Sequence, residues 1–177
     1  MSAVSAMDRR SDVKRHMLRH FLAALAYRTQ KALRGAPQSF PDFAPGNLAR
    51  TPHELVLHMD SVLGYAATFF DGEPDAYRPT RADDFAEQVR GFHDRLEKLS
   101  ALLATGRAFR GITAEQMLQG PFADAMTHAG QLAMLRRLAG SPVASENFIF
   151  AEVDPENLGP EQAEPARPDE WWTGELE

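Results

Sequence analysis

Phe85, Val89, Phe92, Leu96, Leu99 and Leu103 follow one another at alternating spacings of four and three. At about 100° per residue this series falls on one side of an α-helix and forms an unbroken apolar seam. A seam of that kind must be buried against other helices, and it restricts the chain to architectures that supply them.

Three further segments answer that need. The first helix is predicted from about Met7 to Arg34, with Leu18, Phe21, Leu22 and Leu25 as its stripe and Gly35 as its stop. A Pro- and Gly-containing connection, Ala36 to Arg50, leads to Thr51-Pro52-His53-Glu54, which supplies a cap, a first-turn proline and a capping-box glutamate. The second helix then runs to Phe70, ahead of Asp71-Gly72-Glu73-Pro74, and Thr80 with Asp83 reads as the cap of the third. Thr105-Gly106 closes the third helix, Thr113 and Gln116 cap a short turn, and Gly120-Pro121 re-aims the chain. The fourth helix is predicted over Pro121 to Ala139, stopped by Gly140. The fold class is therefore all-α, a four-helix bundle, with first and second connections long enough for a crossover.

The 177 residues, 44% hydrophobic and 25% charged, suit one globular domain. Residues 1–140 are assigned to the bundle and 141–177 to an extended, irregular C-terminal tail rich in Pro, Glu, Asp and Gly. Phe148, Ile149, Phe150, Trp171 and Trp172 make that tail too aromatic for a free segment, so it is expected to pack on the bundle or on a partner subunit, with disorder as the alternative. A net charge of -6 argues against a nucleic-acid footprint. No cysteine is present, which excludes disulfides, thiolate ligands and a cysteine nucleophile. Met1 to Arg15 lacks the layout of a signal peptide and no apolar run approaches the roughly 18 residues of a membrane span, so no membrane association and a cytoplasmic location are expected.

Polar residues interrupt the other helices. On the fourth, Asp124 and His128 share a face with Leu135, Leu138 and Gln131, while Met126, Arg136 and Arg137 point elsewhere. On the second, His58 shares a face with Leu55, Val62, Tyr65 and Phe69. Uncompensated burial of a carboxylate costs several kcal/mol, so these groups need a partner. Imidazole and carboxylate are ligands for zinc, nickel, iron or manganese, and Asp124-x-x-x-His128 places two of them on adjacent turns. Gln131 and Tyr65 are candidates for orienting a ligand or lining the pocket. The alternative is a private polar network of core side chains without metal. His16, His20, His53 and His93 are expected to be solvent-exposed, as are Arg136 and Arg137 in a last turn that favours positive charge.

Asp124-Ala-Met-Thr-His128-Ala-Gly-Gln131-Leu-Ala-Met-Leu-Arg-Arg-Leu-Ala-Gly140, together with Thr51-Pro-His-Glu-Leu-Val-Leu-His58, resembles the DinB-like family of metal-binding four-helix-bundle proteins, relatives of the bacillithiol- and mycothiol-dependent transferases. The resemblance covers roughly Met7 to Gly140. It implies a divalent metal held by His58 and His128, and a homodimer. In the family the middle ligand is histidine; here it is Asp124, which makes a two-His/one-carboxylate set with one less positive charge and the ligand types of non-haem iron(II) sites. The implied function is a metal-dependent hydrolase or thiol transferase acting on a small-molecule substrate, with water or a substrate thiol as nucleophile. The alternative is a non-catalytic helical protein that binds a small molecule or a partner through the polar trio.

Overall fold

The computed structural model describes residues 6–71 and 77–168; Trp171 and Trp172 lie outside them. Four long helices are separated by their predicted punctuation: α1 Ala6–Leu33, α2 Pro52–Asp71, α3 Phe85–Ala104 and α5 Ala123–Leu138, with a short α4, Ala114–Met117, before the last. The described residues contain no strand, and the protein is all-α. No described helix is long and apolar enough to cross a membrane.

Local chemistry sets the boundaries. Thr51 and Glu54 form the capping box of α2, with the Thr51 N–H donating to Glu54 Oε2 at 2.8 Å and the Glu54 N–H donating to Thr51 Oγ1 at 3.3 Å. Thr113 and Gln116 do the same for α4. The cap of α3 is Asp84, which accepts from the Ala86 N–H, in place of the expected Thr80 and Asp83. Gly35 and Gly140 both adopt positive φ just beyond α1 and α5, where a β-carbon would be strained. Gly120 and Pro121 lie in a π-type turn, Leu118–Phe122, that joins α4 to α5 across a kink.

Helix α1 packs on α3 and α5, and α2 packs on the same two, so α1 and α2 are diagonal neighbours. Phe21 stacks on Phe122 and the Ala32 carbonyl meets Arg136, so α1 and α5 run parallel. His53 packs on Phe85 and Asp60 pairs with Arg95, so α2 and α3 are also parallel. His58 faces His128, while Tyr65 shares a cavity with Gly120 and Pro121, so α2 and α5 are antiparallel. The α2–α3 connection must therefore return along the length of α2. Its described part is clamped there: the Tyr77 hydroxyl donates to Asp60 Oδ2 at 2.8 Å and accepts from Arg95 at 2.6 Å. Burial and the Asp60 carboxylate push the Tyr77 hydroxyl up to about 12.

The core combines Leu22, Leu25, Met59, Leu63, Phe92, Leu96, Leu99, Phe122 and Leu132. Several side chains depart from expectation. The buried stripe of α2 is Leu55, Val56, Met59, Leu63, Ala66 and Phe70, rotated from the face through His58 and leaving Tyr65 41% exposed. Apolar residues cover so wide an arc of this helix that periodicity alone does not choose its inward side. On α5, Leu138 is 60% exposed and Met126 packs against the core, because Ala125, Ala129 and Leu132 are the residues buried in it. His53 is buried beneath Phe85 and Arg81. His16 and His20 are exposed. Arg136 is buried, and its guanidinium donates to the carbonyls of Ala32, Arg34, Gly35 and Ser141, joining the C-terminal ends of α1 and α5.

His93 is buried as well, because residues 141–168 cross the α1 and α3 surfaces: the Leu158 carbonyl lies 2.6 Å from His93 Nδ1, Glu146 accepts from the Tyr27 hydroxyl, and Arg19 pairs with Glu156.

A β-carbon on Gly64 would collide with the Tyr77 ring. Gly64→Ala is expected to expel Tyr77 from Asp60 and lower stability by about 1–3 kcal/mol, read by urea denaturation. Burial pushes His93 below its ordinary range, whereas the unfolded side chain titrates near about 6.5. Below that pH the unfolded chain takes up a proton that the native state refuses, so stability is expected to decline on acidification. His93→Asn should flatten part of the decline, and a pH series of urea midpoints checks it.

Candidate metal centre

Antiparallel packing of α2 and α5 brings His58 opposite the first two turns of α5. His58 Nε2 lies 3.6 Å from Asp124 Oδ2, and His128 Nε2 lies 3.3 Å from Asp124 Oδ1. The two imidazole rings are 4.7 Å apart, edge to face. One donor atom from each of the three residues falls within 4.8 Å of the other two, so this group could hold a metal ion.

The trio sits at the open seam between the helices and grades in exposure. The His128 side chain is 9% exposed, that of His58 29% and that of Asp124 47%. Inward placement thus applies to His128 alone. Asp124 escapes the cost of carboxylate burial because water reaches it.

His128 is held for one tautomer. Its Nδ1 is 2.7 Å from Gln131 Oε1, an oxygen that can only accept, so Nδ1 donates there and Nε2 is the ring nitrogen that faces the trio. That Nε2 is buried and makes no hydrogen bond among the described residues, although Asp124 Oδ1 lies 3.3 Å away. A buried nitrogen without a hydrogen bond, set beside a carboxylate and a second imidazole, fits a cation. Burial first, then the charge of Arg50, pushes the His58 imidazole below its ordinary range against the upward pull of Asp124. Neutral imidazole is the form that ligates.

Three hollows open around the trio. His58 borders one of about 420 Å³ with Arg50, Leu57 and Ser61. His128 borders a second of about 530 Å³ with Gln131, Leu55 and Met134. Asp124 borders a third of about 560 Å³ with Tyr65, Thr127 and Pro121. Tyr65 lines this last hollow, its ring set against Phe69 at 4.9 Å, and it makes no hydrogen bond to the trio. Of the two residues singled out beside the trio, Gln131 therefore touches a trio member and Tyr65 faces the space beyond it.

Sequence reasoning missed Arg50 and Leu48, which border both histidine-side hollows. They lie in the irregular connection before α2, where no periodicity marks a residue as facing a site.

No protein-family model, curated protein or solved structure matches this chain.

Gln131→Ala frees His128 to change tautomer and rotate. It is expected to weaken zinc binding by about 10- to 100-fold with little loss of thermal stability, since Gln131 is exposed. Competition with a chromogenic chelator, alongside a melting curve, measures both.

Proposed function

We propose that this protein is a metal-dependent enzyme of the hydrolase or thiol-transferase type, of the DinB-like kind, with His58, Asp124 and His128 as ligands for zinc, nickel, iron or manganese. The observation that carries this reading is the buried His128 Nε2, turned towards Asp124 by the Gln131 contact at Nδ1, with the His58 ring beside it and no hydrogen-bond partner among the described residues. His53 and His93 leave a buried Nε2 unpartnered as well; what sets His128 apart from them is Asp124 Oδ1 at 3.3 Å and the His58 ring beside it.

A divalent cation held by two imidazoles and one carboxylate supplies Lewis-acid activation of a water molecule or a substrate thiol. The chain's own groups set the surroundings for that chemistry. Gln131 aims His128, Arg50 and burial keep His58 neutral, and Asp124 presents one oxygen to each histidine. The chain has no cysteine, and Glu54, the other carboxylate bordering the three hollows, is engaged at the start of α2. In this reading the nucleophile is water or a substrate thiol. Asp124, the most exposed of the three, is also placed to accept a proton. A ligand set with one carboxylate binds the cation with one less net positive charge than three imidazoles, which favours metals that accept oxygen donors, iron and manganese among them.

Elemental analysis of untagged protein against His58→Ala, Asp124→Ala and His128→Ala, under matched metal supply, tests the site. Near-stoichiometric metal in the wild type and its loss in all three variants is the expected result. A wild type that stays metal-free and fails to bind added zinc, nickel, iron or manganese would falsify it and leave a polar trio used for binding alone.

A further inference from the structure

Arg50 sits between the two hollows that flank His58 and His128, bordering both. It is exposed and makes no hydrogen bond or ion pair among the described residues. The nearest acid along the chain, Glu54, borders one of these hollows and feels the Arg50 charge, but its carboxylate is engaged by Thr51 in the α2 capping box and forms no ion pair with Arg50. An unpaired guanidinium beside a candidate cation site is a docking point for an anion.

The neighbouring residue, Leu48, gives a second and independent sign. Asn47 and Leu48 both have positive φ, 53° and 60°. For leucine this conformation costs about 1–2 kcal/mol, and the Leu48 side chain is fully exposed, so packing does not offset the strain. Leu48 borders the same hollow as Met134 and Leu138, 62% and 60% exposed, with Pro45, Leu55 and Leu135 completing its apolar wall. Three exposed large apolar side chains thus converge on one hollow, beside one free cation and next to His128. Its volume, about 530 Å³, lies in the range of small-molecule sites.

We propose that the substrate is an anionic small molecule with an aliphatic or aromatic arm: its acidic group docks on Arg50, its arm lies between Leu48, Met134 and Leu138, and its reacting end reaches His58, Asp124 and His128. This deepens, and rests on, the reading of the trio as a reaction centre. It also gives the Arg50 charge and the strained Leu48 a shared purpose that the fold does not supply. A cationic or purely polar substrate would face an opposing guanidinium and leave the apolar wall wet.

The test uses octane-1-sulfonate on the full chain, because a sulfonate is a poor metal ligand and therefore reports Arg50 separately from the trio. Isothermal titration calorimetry is expected to show binding at least about tenfold tighter than for methanesulfonate, and none for octyltrimethylammonium. Arg50→Gln should weaken octane-1-sulfonate by about tenfold, with unchanged far-ultraviolet circular dichroism. Leu48→Gly should also weaken it while leaving the thermal midpoint no lower than wild type, since the substitution relieves positive φ. Equal affinity in Arg50→Gln, or binding of the cationic probe as tight as that of the sulfonate, would overturn the proposal. Zinc content measured on the same samples separates the two readings. Zinc-loaded protein indifferent to Arg50→Gln loses the anion site and keeps the metal centre, whereas metal-free protein that still needs Arg50 keeps a binding site and loses the enzyme.

Discussion

A guanidinium buried without a carboxylate holds one end of the bundle together. Arg136 donates into carbonyls at the end of α1 and to Ser141 after α5, with the Phe40 ring below it. A helix end presents carbonyls without intrahelical partners, and two such ends meeting side by side concentrate negative potential that one delocalised cation can satisfy. The consequence reaches the far end of α5. Once Arg136 fixes the axial position of α5 against α1, with Phe21 on Phe122 as a second anchor, the register that puts Asp124 and His128 opposite His58 is set as well.

Division of labour on α5 follows from its alternating small and large residues. Ala125 and Ala129 allow close approach to its buried neighbours, while His128 and Leu135 turn towards α2. The seam between α2 and α5 is left with polar groups at its edge and graded access to water. That grading leaves the His128 nitrogen out of water while water reaches the Asp124 carboxylate and spares it the penalty of a buried charge.

The parts of the fold written in local chemistry were legible in the sequence. The 4/3 seam of α3, the Thr51/Glu54 and Thr113/Gln116 boxes and the Gly35 and Gly140 stops all depend on residues within a few positions of one another. The trio was legible too, because polar groups at helical spacing on otherwise apolar segments stand out against α3. What escaped was decided by distant segments. His53 and His93 look like surface residues until Arg81 and Leu158 cover them, and Arg136 looks solvated until the end of α1 arrives. The rotation of α2 is set by which of its many apolar residues α3 and α5 accept, and Arg50 gains meaning only from the hollows on either side.

The parallel course of α2 and α3 has a consequence for how the molecule is made. With α1 and α2 diagonal, neither gains its full complement of neighbours from the other, and the square closes only when α5 docks between them. During synthesis from the N-terminus, a nascent chain that has emerged as far as α3 presents His58 alone, with neither of the other two donors. The trio comes together in a single late step, with the arrival of α5, so a partly made or truncated chain does not yet hold its three side chains side by side.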